Sequence, residues 1–322
     1  MSLARSAVAT VALMLAVLHA HAADKFPSRP IRMIVPSGAG GVTDVLGRVV
    51  AHKLGESLGQ QVVIDNRPGA SGIVGSQIVA NAAPDGHTLL MVFPSHVVNP
   101  SLFTSIPYDT VKAFAPITIV STVSLLLTVN PELPVKSTPE LIAYAKANPG
   151  RLNYGTVGSG SLGHLGAELF RSMSGTKMTQ IAYKGSPQIL SALIGGEIKM
   201  YMVASISGVM PQLKSGRVRA LGVSTKQSLP VLPNVPPIAD ALPGYEARGW
   251  NGILAPAGTS KHLIERLHRE IVKIVRSPEF AQNLINEGAT AVGNTPAEFD
   301  AVIRADLKKW AAVVREAGIK GE

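Results

Sequence analysis

An apolar strand that runs directly into a glycine-dense turn and then a helix sets the frame for the whole chain. Ile31-Arg32-Met33-Ile34-Val35-Pro36 has the apolar density of a buried strand, Ser37-Gly38-Ala39-Gly40-Gly41-Val42-Thr43-Asp44 is a turn of small residues, and Val45-Leu46-Gly47-Arg48-Val49-Val50 opens a helix. A chain that begins this way points to a parallel sheet, because parallel neighbours need a long crossover between them. Three glycines among residues 38–41 allow positive φ and remove the Cβ atoms that hold a ligand away from the backbone. The helix start presents N–H groups with no partner inside the helix, so the loop reads as a receptor for a carboxylate or phosphate. An ordinary β-to-α turn fits the stretch equally well. Asp44 is expected to bond back to the loop amides and brace them rather than to touch a ligand.

The same theme recurs along the chain. Helical spacing over residues 45–58 ends at Gly59, a strand follows at 61–65, and Asn66-Arg67-Pro68-Gly69-Ala70-Ser71-Gly72 makes a second glycine turn before a helix at 73–82. A third strand at 87–93 leads into the turn Pro94-Ser95-His96, and the β-branched stretch 114–129 reads as a strand leaving the first domain. Ser137-Thr138-Pro139-Glu140 caps a helix. A second unit then repeats strand, turn and helix at 151–157, 158–163 and 164–174, with a strand and turn at 180–185, a helix at 186–194 and strands at 198–204 and 220–224. Proline-dense residues 229–243 carry the chain back to a strand at 250–256, a helix at 260–276, another from Ser277-Pro278, and a last helix from Thr295 to Ala317 with a capping box. The expected fold is α/β with two domains, residues 23–123 plus 246–322 and residues 124–245, joined by two crossings near 122–124 and 244–249.

Residues 1–22 have the form of a secretory signal, with Arg5 ahead of an apolar run and Ala20-His21-Ala22 as the cleavage pattern. The chain is therefore expected to be exported. The 300 residues beyond it (322 − 22) suit two domains. There is no cysteine, which excludes disulfides, thiolate metal sites and a cysteine nucleophile. The formal charge of +9, or +8 without Arg5, is scattered rather than blocked. With few aromatic residues, that favours small anions over nucleic acid.

No catalytic set emerges. Gly158, Gly160 and Gly163 fit a dinucleotide fingerprint, but the acid expected about 20 residues further on is missing. No serine sits in a nucleophile elbow, no histidine pair has metal spacing, and Ser95 and His96 are chain neighbours that a strand would point to opposite faces. His164 reads as a capping or ligand-facing donor, and Tyr183-Lys184-Gly185 places a phenol at a strand end. No cofactor and no metal are expected.

The ordered motifs 34–44, 66–72, Asn99-Pro100-Ser101-Leu102, 154–161 with His164-Leu165, 183–185, Leu232-Pro233-Asn234-Val235-Pro236 and Ala255-Pro256-Ala257-Gly258-Thr259 together resemble the Bug family, the substrate-binding proteins of tripartite tricarboxylate transporters. The resemblance implies a two-domain periplasmic binding protein of type II-like fold, with the ligand cleft between domains. It also implies a small carboxylate held by Ser37, Gly38, Ala39, Gly40, Gly41 and Thr43 from one side and by Gly158, Ser159, Gly160 and Ser161 from the other, with Ser95 and His96 lining the cleft. His164, Tyr183, Ala204 and Ser205 complete the expected set. Where many members carry an acid and an asparagine, this chain has Val203-Ala204-Ser205, which implies a less polar far end and a carboxylate with an apolar or aromatic body.

The expected protein is a monomeric, non-enzymatic receptor that delivers a carboxylate to membrane transporter subunits. A sensory protein docking on a membrane receptor, and an exported hydrolase or nucleotide-dependent enzyme, are the alternatives.

Overall fold

The first strand, β1 (Ile31–Val35), pairs in parallel with β2 (Val62–Asn66) on one side and β3 (Thr88–Val92) on the other, in the registers Ile31↔Val62 and Arg32↔Thr88. Four of its five residues are buried. Interior parallel strands are covered on both faces, so they read as unbroken apolar runs. Crossover helices α1 (Val42–Leu58) and α2 (Ile73–Ala80) follow β1 and β2, and α3 (Ser95–Leu102) follows β3. The structure is a computed structural model that describes residues 26–40, 42–158, 160–285 and 288–319. The expected signal segment 1–22, together with Gly41 and Ser159, lies outside the described residues.

β4 (Phe114–Ser124) belongs to this first sheet, and one residue later β5 (Leu126–Val129) belongs to a second. The apolar stretch expected as one strand is thus two, divided at Leu125. The second sheet is completed by α4 (Thr138–Ala147), β6 (Leu152–Thr156), α5 (Leu162–Ser174), β7 (Met178–Ala182), α6 (Ser186–Ile194), β8 (Met200–Val203), α7 (Ile206–Lys214) and β9 (Arg219–Val223). Its strand order is β7-β6-β8-β5-β9. The chain returns through residues 224–247 to β10 (Arg248–Pro256), which enters the first sheet antiparallel between β3 and β4. Then come α8 (Lys261–Val275), α9 (Pro278–Ile285), β11 (Ala289–Ala291) and α10 (Pro296–Ala317), giving the first sheet the order β11-β4-β10-β3-β1-β2.

Each sheet with its helices forms a lobe, and one buried serine joins the two crossings between lobes. Ser224 donates its N–H to Leu125 O (2.9 Å), its hydroxyl accepts from Leu125 N (2.8 Å), and the same hydroxyl donates to Ala247 O at 2.5 Å. On that side α10 spans both lobes, packing on α3 and β4 of the first and on α5 of the second. Its Asp306 accepts from Trp250 Nε1 at 2.8 Å and its Glu316 from Ser172 Oγ at 2.8 Å. Trp310, Val313 and Val314 lie in one continuous apolar cluster with Phe170 and Tyr245. The helix begins in a capping box, Thr295 with Glu298, as its sequence implies.

Candidate ligand cleft

Asp44, in the first turn of α1, is buried and accepts from Gly40 N at 2.8 Å, Asn66 Nδ2 at 2.9 Å and Arg48 Nε at 3.0 Å. Asn66, at the end of β2, also donates to Ser37 O at 3.2 Å. The loop between β1 and α1 is therefore tied at both ends to a carboxylate and an amide below it. The Arg48 hydrogen bond, aided by those from Gly40 and Asn66, holds Asp44 down at about 2 against the opposing effect of burial. Ser37 Oγ is buried without a partner among the described residues.

Above this loop lies a cavity of about 730 Å³ between the lobes. In the first lobe Gly40 and Thr43 border it, with Ser121 on β4 and Trp250 and Asn251 on β10; in the second lobe Leu162, Ser186, Ala204 and Ser205 border it. Thr43 Oγ1 donates to Asn251 Oδ1 at 2.9 Å, and Asn251 Nδ2 reaches Ser121 Oγ at 3.4 Å, a row of buried polar groups along the first-lobe wall. Several helices start at the cavity, among them α1 at Val42, α6 at Ser186, and α7 just after Ser205. The first-turn N–H groups of a helix have no intrahelical partner, and the helix dipole adds partial positive charge there. Convergent helix starts make an environment for an anion.

The other expected site residues surround this cavity or lie behind it. Gly38 and Ala39 are exposed on the loop itself. Gly158 and Gly160 adopt φ of 116° and 74°. Ser161 caps α5, accepting from His164 N at 3.3 Å and donating to Gly158 O at 2.9 Å. His164 Nδ1 accepts from Gly160 N at 3.1 Å, and burial lowers its pKa, so the neutral ring holds the turn. These groups shape the second-lobe loop from within; they do not border the cavity. Ser95 Oγ and Asn99 Nδ2 both donate to Ser71 O (2.8 and 3.1 Å), fixing the second glycine turn, where Ala70 and Ser71 have φ of 44° and 53°. Ser95 and His96 start a helix rather than a turn, and His96 is buried and does not border the cavity. Its Nε2 bonds Thr110 O at 3.2 Å, and its ring meets Phe114 edge-on at 5.1 Å. Tyr183 is half-buried, with its N–H on Thr156 O at 2.8 Å.

Ser121, Ser186, Trp250, Asn251, Phe280 and Leu284 border the cavity and were not among the expected residues. The one available signal was Asn251, an amide in the middle of an otherwise apolar strand between Gly249 and Gly252.

Two α/β lobes joined by two crossings, with a cavity between them ringed by helix starts, define a binding protein of the periplasmic type II-like class. Comparison with known proteins narrows this. Residues 46–319 match the family described as "Tripartite tricarboxylate transporter family receptor". Protein BugT of Bordetella pertussis is 38% identical over 301 residues, covering 92% of each chain. Among solved structures, R. palustris Rpa4515 with adipate is 35% identical with a TM-score of 0.77, covering 92% of this chain and 99% of that one. MatC from Rhodopseudomonas palustris with bound malate is 28% identical with a TM-score of 0.73, covering 90% and 100%. The chain belongs to this family, the Bug/TctC receptors of tripartite tricarboxylate transporters. It is a periplasmic solute-binding protein rather than an enzyme.

Proposed function

We propose that the protein captures a small organic carboxylate in the cavity between its lobes and presents the closed, loaded form to the membrane subunits of a tripartite tricarboxylate-type transporter. The observation that carries the reading is the cavity at which the start of α1 faces the starts of α6 and α7 across the Thr43–Asn251–Ser121 row. One carboxylate oxygen pair would take N–H groups of the first loop and the first turn of α1, with Ser186 and Ser205 closing from the other lobe. The relatives that hold adipate and malate support this class of ligand. The moving bodies are residues 23–123 with 246–322, and residues 124–245, turning about Leu125 and the Ser224–Ala247 pair.

Calorimetric titration of the purified protein with mono-, di- and tricarboxylates, with sugars and primary amines alongside, tests the reading. At least one carboxylate is expected to bind with a stoichiometry of about one, as a single interlobe site requires. Binding of a sugar or an amine in preference to every carboxylate overturns it. Delivery is tested by uptake of the bound solute in cells that carry or lack the membrane subunits.

A further inference from the structure

The chemistry of the cavity wall is one-sided. Among the described residues that border it there is no Asp, Glu, Lys, Arg or His. Asp44 and Arg48, on α1, are engaged with each other, and Asp44 with the loop amide of Gly40. Beside the helix starts and the serine and asparagine groups, the wall is apolar, with Val45, Leu46 and Val49 on α1, Trp250 on β10, and Phe280 and Leu284 on α9. Val45 is 52% exposed. A large apolar side chain facing water inside a cleft is relieved by an apolar partner.

We propose that the cavity selects a monocarboxylate with an apolar body, the carboxylate at the start of α1 and the body against Val45, Trp250 and α9. The inference rests on the carboxylate reading above and adds which carboxylate. A second carboxylate, or an ammonium, would be taken from water against that apolar wall, where no side chain of opposite charge borders the cavity, and an ion buried without a counter-charge is costly. A ring or aliphatic chain in the same place gains from burial. The diffuse positive charge of the protein raises the approach rate of every anion alike, so it does not discriminate among them.

The experiment uses ligands matched in shape. Hexanoate, adipate and 6-aminohexanoate share one six-carbon chain and differ only at the far end, and benzoate and terephthalate form a rigid pair. Calorimetric titration is expected to give hexanoate at least a tenfold lower Kd than adipate or 6-aminohexanoate, and benzoate at least a tenfold lower Kd than terephthalate. Adipate or terephthalate binding as tightly as its monoacid overturns the inference and leaves the carboxylate reading standing. Failure of all these ligands and of malate and citrate to bind removes both. The variant Val45→Lys places a cation on an exposed turn that the fold does not depend on. It is expected to move the hexanoate-to-adipate affinity ratio at least tenfold toward adipate, and an unchanged ratio counts against the assigned position of the ligand body.

Discussion

His96 is a titratable ring enclosed by Tyr108, Phe114 and the Thr110 carbonyl, and burial pushes its pKa down to about 4 from an ordinary 6.5. Above pH 6.5 the ring is neutral in both folded and unfolded chains and contributes no pH dependence. Below it the unfolded chain takes up a proton that the folded chain refuses, so stability falls with pH until the folded ring titrates near 4. The expected slope approaches about 1.4 kcal/mol per pH unit within that window. Urea denaturation at pH 7, 6 and 5 checks it, with His96→Gln expected to flatten the decline; equal slopes in the two proteins would place the ring elsewhere. Asp44 was legible in the sequence as a loop brace because an acid in a first turn has free N–H groups within reach. Ser121 was not, and Asn251 showed only as an amide in an apolar strand, because its contacts with Thr43 and Ser121 join residues 208 and 130 apart in the chain.

At the level of elements, most strands and helices follow from apolar spacing and caps, and the exceptions have two causes. α3 and α7 each contain a proline, Pro100 and Pro211, near the C-terminal end of a short helix. Local rules read such a proline as a stop, but α3 is held from outside, by α10 packing on it and by the Ser95 and Asn99 bonds to Ser71. β4 and β5 read as one strand because nothing local distinguishes a strand that changes sheets at Leu125 from one that continues. Where elements of opposite lobes touch, glycine makes room. A Cβ at Gly160 would lie 2.5 Å from Leu102 Cδ1, and one at Gly249 would lie 2.6 Å from Leu162 Cδ2. Gly249 sits in β10 without a positive φ, so alanine there meets a steric obstacle rather than backbone strain. Gly249→Ala obliges Leu162 to shift in the free protein and is expected to lower its melting temperature and to raise the Kd for the bound carboxylate about tenfold, equivalent to about 1.4 kcal/mol. Titration of Gly249→Ala, Leu162→Ala and the double variant checks it: additive effects would show that the two positions do not press on each other.

Over the whole molecule, the last helix packs against the return crossing, with Trp310 in one apolar cluster with Tyr245 and with Asp306 accepting from Trp250 Nε1. Ser224 holds both crossings with one hydroxyl that accepts from Leu125 N and donates to Ala247 O. Ser224→Ala leaves two buried backbone groups without those bonds, at a cost of about 2–4 kcal/mol. The loss should appear as a lower denaturation midpoint with the fold retained by circular dichroism, and a change under about 0.5 kcal/mol, the range of a neutral surface substitution, would mean that the crossings are held by other contacts. The two-lobe plan was legible from the repeated strand–turn–helix units and the proline-dense return. The attachment of the last helix to both lobes was not, since its apolar face carries no mark of which partner it meets. That attachment has an optical consequence. The chain has two tryptophans; Trp250 faces the cleft while its indole N–H is held by α10, and Trp310 is sealed within α10 beneath Lys309. Tryptophan emission from the unlabelled protein therefore originates at the cavity wall and in the last helix that packs on both lobes, and a change at either place alters a signal the chain carries without a label.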